Sequence, residues 1–253
     1  MKFSANLGFL FTEYSLPDAI RAANDAGFDA VECHWPYATP VDEVRAALSE
    51  TGLPMLGLNT DRGDVSRGDN GLSALPGREV DARRAIDLAL DYAAQIGAAN
   101  VHVMAGKAEG SEAHNCFIRN LRYACAGAST KGLTILIEPL NPFDAPGYFL
   151  NRTEQAADII ATVGKPNIKL MFDCYHVART EGNVLAQLGR FIEVIGHIQF
   201  AGVPDRGVPD RGELDYRKLL PEITDLGWDA ALGAEYRPDG KTAQSLGWMT
   251  RLR

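Results

Sequence analysis

The sequence predicts an α/β fold, a single (β/α)8 TIM barrel formed by residues 1–253. Three observations carry that expectation. Short apolar runs alternate with longer amphipathic stretches along the whole chain, as parallel strands joined by crossover helices require. Eight such strand–helix units can be read, enough to close a ring. The length, 253 residues, matches the roughly 250 typical of that architecture. A doubly wound open sheet is the structural rival, but no GxGxxG follows the first strand, so its dinucleotide-binding version lacks support.

In chain order, Phe3–Phe9 reads as the first strand and Leu16–Ala26 as a helix. Pro17 suits that helix's first turn, where the missing N–H is not needed. Gly27 ends the helix and Phe28–Cys33 forms the second strand. A helix from Val41 stops at Gly52, ahead of the strand Leu53–Leu58. The polar, glycine-rich stretch Thr60–Gly77 then interrupts the rhythm, and loops of that length are often functional lids. A helix over Glu79–Ile96, Gly97 and the strand Ala99–Met104 follow. The next helix, from Ser111, ends at Gly132 before the strand Leu133–Glu138. Thr153 is expected to cap the following helix and Lys165-Pro166 to close it, leading to Asn167–Asp173. A helix over Gly182–Val194 precedes the strand Gly196–Phe200. The last unit is a helix over Tyr216–Leu226, Gly227, the strand Trp228–Tyr236 and a terminal helix from Thr242. No shift in composition marks a linker, so one domain is expected.

The 25 basic and 33 acidic residues leave a net charge of −8. Such a chain is repelled by a phosphate backbone, so no nucleic acid is expected as a partner. No segment approaches the roughly 20 apolar residues of a membrane span, and the N-terminus lacks the apolar run of a signal peptide. The expectation is therefore no membrane association and a cytoplasmic location. Cys33, Cys116, Cys125 and Cys174 form no CxxC pair, which reads as reduced thiols in that compartment. A homo-oligomer is compatible with a barrel of this type, although no interface is legible.

Reacting groups of a TIM barrel sit where strands end and βα loops begin. Strand five ends in Glu138, strand six in Asp173, strand seven near Gln199 and strand eight in Glu235. Alternation along each strand places Thr134 and Leu136 on the face of Glu138, and Ala231 and Gly233 on that of Glu235. Ionised carboxylates facing a barrel interior are costly unless paired or metal-bound. Three carboxylates and an amide oxygen make an oxygen-rich site, suited to one divalent metal ion, Mg²⁺ or Mn²⁺, more than to structural zinc. Each has a bland reading too: Glu138 accepting loop amides, Asp173 capping a helix, Glu235 in an ordinary salt bridge beside Arg237. Convergence of four strand ends favours the site. His176, three residues after Asp173, is placed to hydrogen-bond a substrate oxygen. His197, His102 and Lys169 share the inward phase but lie deeper, which suits structural roles.

Together Ile137-Glu138-Pro139-Leu140-Asn141, Asp173-Cys174-Tyr175-His176, Gly196-His197-Ile198-Gln199 and Gly233-Ala234-Glu235-Tyr236 resemble the hydroxypyruvate isomerase family. That family is part of the xylose-isomerase-like TIM barrels, alongside ketose 3-epimerases. Phe3–Leu7, Pro76–Glu79 and Asn141–Gly147 add to the resemblance, which covers essentially the whole chain. It implies a metal held by Glu138, Asp173, Gln199 and Glu235, with the two glutamates also serving as catalytic acid and base. Gln199 resembles the sugar-acid branch, since 3-epimerases usually carry histidine there. Arg206, after strand seven, resembles an arginine that contacts substrate, and Lys107, after strand four, is placed to meet a carboxylate. Both are surface basic residues on the bland reading. Val208–Glu213 and Asn59–Asp64 depart from the family pattern, and both border the site, so they bear on substrate identity.

The implied activity is isomerisation of a small sugar acid, hydroxypyruvate to 2-hydroxy-3-oxopropanoate (tartronate semialdehyde) or a four-carbon analogue, through an enediolate. The alternative is ketose or tetrulose 3-epimerisation with the same metal and glutamates. An apurinic-site endonuclease would need more than the five histidines present. A non-catalytic sugar-binding barrel would bind ligand without proton exchange.

Overall fold

A computed structural model describes residues 1–253. Eight parallel strands form the inner layer: β1 Phe3–Asn6, β2 Ala30–Glu32, β3 Gly57–Asn59, β4 Asn100–His102, β5 Thr134–Ile137, β6 Ile168–Asp173, β7 Ile195–Phe200 and β8 Leu232–Ala234. Their order is β2-β1-β8-β7-β6-β5-β4-β3. The ring closes between β2 and β3 through one parallel bridge, Val31–Met55, and backbone bonds such as Leu56 N–H to the Val31 carbonyl at 2.7 Å. This is the (β/α)8 barrel expected from the alternation.

The helices are α1 Leu16–Asp25, α2 Val41–Thr51, α3 Glu79–Ile96, α4 Gly110–Ser129, α5 Thr153–Val163, α6 Cys174–Thr180, α7 Val184–Phe191, α8 Tyr216–Asp225, α9 Thr242–Ser245 and α10 Gly247–Leu252. Gly52 and Gly97 end α2 and α3 in the left-handed conformation, where their N–H groups return to Leu48 and Ala93. A side chain at either position would strain that turn.

The strands are shorter than their apolar runs. Leu7, Leu10 and Phe11 are buried, but pairing with β2 stops at the Leu7 N–H, which donates to the Glu32 carbonyl at 2.8 Å. The Phe9 and Leu10 N–H groups turn back onto the Asn6 carbonyl at 3.1 and 2.8 Å. Burial and strand pairing are separate properties, and hydrophobicity reports only the first. Thr153 is not a cap. It is the first helical residue, Arg152 holds the cap position, and the Thr153 hydroxyl donates to Glu181 at 2.6 Å. Gly164, in the left-handed region, closes α5 ahead of Lys165-Pro166. The single helix expected over Gly182–Val194 divides as well. Gly182 and Asn183 take φ of 66° and 41°, which no helix accommodates, so α6 ends before them and α7 begins after them.

Between the outer faces of the strands and the helices lies one cluster of 70 buried residues. Trp248 of α10, fully buried, packs edge-on against Phe3 at 5.0 Å, Phe200 at 5.5 Å and Tyr236 at 6.1 Å. Its indole N–H donates to the Tyr236 hydroxyl at 3.1 Å. One side chain therefore joins the outer faces of β1, β7 and the end of β8. No helix is long and apolar enough to cross a membrane.

All four cysteines are buried and unpaired. Burial pushes the thiol of Cys33 up to about 12, those of Cys116 and Cys125 to about 11, and that of Cys174 well above its ordinary value. Thiolate is the reactive species. A disulfide-exchange dye at mildly alkaline pH should thus titrate no thiol promptly in the folded protein and all four after denaturation. Rapid labelling of any thiol in the folded state would contradict this burial.

Candidate active site

The carboxyl-terminal ends of the strands converge on the barrel mouth. Glu138 follows β5 directly, and Asp173 ends β6 as α6 begins without a linker. Asp173 Oδ1 accepts the Tyr175 N–H at 2.8 Å and caps α6. Its Oδ2 faces the mouth, 3.3 Å from Arg206 and 3.7 Å from His176 Nε2. The bland reading of Asp173 as a cap and its reading as a site residue are both correct, one for each oxygen.

Glu138, Asp173 and His176 are buried, with ligand atoms all within 4.8 Å of one another. His176 Nδ1 accepts the Asn141 N–H at 3.0 Å. In the neutral ring the proton then sits on Nε2, which has no partner. Burial, with Arg206 adding to it, holds His176 well below its ordinary pKa and keeps that neutral form. His176 thus presents an N–H donor toward the mouth.

Glu235 is held on both oxygens. Oε1 accepts from Asn6 at 3.1 Å and lies 2.9 Å from His34 Nε2, while Oε2 accepts from Arg206 at 2.7 Å. Burial pushes its carboxyl up, but Arg206 and His34 outweigh burial and bring it to about 2. Glu138 has no such support. Its Oε1 is buried without a partner, and burial, with Glu235 and Asp173 nearby, drives its pKa well above the carboxylate range. Asp173 rises to about 7, because burial exceeds what Arg206 returns.

Arg206 stands in the loop after β7 at a φ of 59°, unusual for a residue with a side chain. Its guanidinium lies over the rings of Phe9 at 4.7 Å and Tyr175 at 5.1 Å. Gln199 is level with Asp173 on one side and Gly233 on the other. Its amide nitrogen donates to Glu32 at 3.3 Å, and its Oε1 is buried without a partner.

Of the expected residues, the structure therefore gathers Glu138, Asp173, His176, Gln199, Arg206 and Glu235. Glu138 and Asp173 fall in one cluster with His176, and Glu235 is tied to it by Arg206, whose guanidinium lies 2.7 Å from Glu235 Oε2 and 3.3 Å from Asp173 Oδ2. Lys107 stands apart. It is exposed, its backbone bridges to Tyr148, and its Nζ lies beside Gly68 in the loop after β3. Lys169 lies low in the barrel and donates to the Glu193 carbonyl at 2.8 Å. His102 comes nearer than its depth suggested, with Nδ1 at 3.6 Å from Glu138 Oε2. Burial pulls its pKa to about 4, so it too is neutral.

Asn6, Glu32 and His34 escaped the sequence reading. The signal was present, because Asn6 and Glu32 are the last residues of β1 and β2, the same position and phase that singled out Asp173.

The donor set fits a divalent cation. Three buried carboxylates share one guanidinium, and two oxygens, Glu138 Oε1 and Gln199 Oε1, have no partner. A dication would remove both the charge imbalance and the unmet acceptors.

Gly233 sets the width of the mouth's inner wall. A Cβ there would stand 2.2 Å from Glu32 Oε1 and 2.9 Å from both Gln199 Cγ and His197 Nε2. Gly233→Ala should cost about 1–3 kcal/mol in chemical denaturation. An unchanged midpoint would mean that the barrel yields there freely.

A family model described as xylose isomerase-like TIM barrel matches residues 20–252. The chain is 44% identical to the 2-oxo-tetronate isomerase of Cupriavidus necator, covering 98% of this chain and 97% of that protein. It is 34% identical to the hydroxypyruvate isomerase of Escherichia coli over the full length of both. Among solved structures, one described as AP endonuclease, family 2, from Brucella melitensis superposes with a TM-score of 0.95 at 34% identity, covering 100% of this chain and 99% of that one.

Proposed function

This chain belongs to the xylose isomerase-like TIM-barrel family, and from that premise we propose that it is a metal-dependent isomerase of a small sugar acid. The observation that carries the reading is the buried Glu138–Asp173–His176 cluster beside the unpartnered Gln199 oxygen. The substrate is hydroxypyruvate or a four-carbon 2-oxo acid. The 44% identity to a 2-oxo-tetronate isomerase supports the four-carbon acid, and the 34% identity to a hydroxypyruvate isomerase supports the shorter one.

Glu138, Asp173, Gln199 and Glu235 would hold a single Mg²⁺ or Mn²⁺. When bound, the cation supplies positive charge to substrate oxygens as a neighbouring C–H proton leaves. The remaining work belongs to the chain. Glu138 and Glu235 rise from β5 and β8, on different sides of the mouth, and serve as proton donor and acceptor on opposite faces of a planar enediolate. The His176 Nε2–H donates to a substrate oxygen, and its fixed tautomer prevents it from competing for the proton. Arg206, stacked between two rings and already paired, is a preorganised donor for the oxygens next to the reacting carbons. Lys107, exposed beside the long loop, would meet the carboxylate only if that loop closes over the mouth.

The test follows deuterium by NMR. Hydroxypyruvate and a four-carbon 2-oxo acid are incubated in D₂O with enzyme, with and without Mn²⁺ or Mg²⁺. Metal-dependent label at the carbon beside the carbonyl, with the aldehyde isomer appearing, is the expected result. Exchange with neutral ketoses alone would establish 3-epimerisation instead, and no exchange with any of them would leave a sugar-binding barrel. Endonuclease action, the activity named in the Brucella structure's description, is opposed by the net charge of −8.

A further inference from the structure

We propose that Glu32 is a positioning residue that fixes the amide of Gln199, so that its carbonyl oxygen, and not its nitrogen, faces the carboxylate cluster. This rests on the cation reading above. The two ends of a glutamine amide are nearly the same shape, and only its neighbours decide which end points where. Glu32 Oε2 lies 3.3 Å from the Gln199 amide nitrogen. A carboxylate can only accept, so it selects the N–H end and turns Oε1 the other way. That Oε1 is buried and meets no donor of the chain.

Glu32 is itself held. Its Oε2 lies 2.7 Å from His197 Nε2, and its Oε1 accepts the Ser4 hydroxyl at 3.3 Å. Both Glu32 and His197 are buried. His197 and Gln199 lie two apart on β7 and point inward together, so one carboxylate oxygen meets both side chains. Gly233, level with Gln199 on β8, leaves the space this arrangement occupies, since a Cβ there would overlap Glu32. Ser4, Glu32, His197 and Gly233 thus form one support beneath a single ligand oxygen. Glu32 touches neither substrate nor cation and acts through Gln199.

The experiment is a double-mutant cycle read as Mn²⁺ affinity, by the loss of the free-ion EPR signal, without any turnover assay. Glu32→Gln can turn either amide end toward Gln199, so it should weaken Mn²⁺ binding about 10- to 100-fold, the usual effect of losing a ligand's partner. In a Gln199→Ala background the same change should cost nothing further. An equal loss in both backgrounds, or no loss in the first, overturns the proposal. Should Glu32→Gln fail to fold, Glu32→Asp goes through the same cycle. It keeps the charge beside His197 but withdraws from Gln199, and the same outcomes decide. Wild-type protein that binds no Mn²⁺ overturns the cation reading and this inference together, whereas tight wild-type binding with an additive cycle overturns this inference alone.

Discussion

Glu138→Gln and Glu235→Gln are each expected to lower kcat about 10²- to 10⁴-fold, the range for removing a group that transfers a proton in the rate-limiting step. Glutamine keeps the shape and one acceptor oxygen, so the lost property is proton exchange. The two variants should part company in stability. Glu235 is the nearer partner of buried Arg206, which keeps Asp173 at 3.3 Å when Glu235 is replaced, so the loss of the closer charged bond should cost about 1–3 kcal/mol. Glu138 gains no such partner and is opposed by burial and by two neighbouring carboxylates, so its replacement should leave the metal-free protein as stable or more so. Activity assays and denaturation of the metal-free protein check both halves. Turnover above a tenth of wild type in either variant would remove that glutamate from the chemistry. Equal loss of stability in both would mean that the Arg206 pair is not what sets Glu235 apart.

Trp248→Ala should cost about 3–5 kcal/mol, enough to threaten folding of a marginally stable chain. The cost has two sources. The indole is fully buried among Phe3, Phe200 and Tyr236, and its removal leaves a cavity across three strands. It also strips the Tyr236 hydroxyl of a hydrogen-bond donor. Trp248→Phe keeps most of the volume and loses the donor, so it should fall well short of the alanine loss. An alanine variant within about 1 kcal/mol of wild type would show that the helix α10 is dispensable for closing the β8–β1 side.

The barrel was legible because its two repeating signals, apolar runs and glycines after helices, have local causes. Gly52 and Gly97 stand at left-handed helix ends where the sequence reading placed the stops. What it overstated was strand length, because the expected strand Phe3–Phe9 leaves the ladder after Leu7, where the Phe9 N–H turns back onto the Asn6 carbonyl. Within the site, Glu138, Asp173, Gln199 and Glu235 declared themselves by residue type and position at strand ends. Glu32 stood at the same kind of position, the end of β2, but its pairing to His197, 165 residues away, became visible only when the fold brought the two together. Arg206 could be located in its loop from sequence, but its left-handed backbone and double ion pair could not.

The bridge between β2 and β3 gives the ring a seam. Each other neighbouring pair of strands shares two or more registered positions, while this one has only Val31–Met55. Yet backbone bonds join Val31 to Pro54, Leu56 to Val31, Cys33 to Gly57 and Asn59 to His34. The seam is irregular and not weak, and backbone bonds run all the way round the hoop, so no strand edge is left open for another chain to pair with. Asp173 and Gln199, level with each other on β6 and β7, are thus carried by a hoop with no free end from which fraying could start.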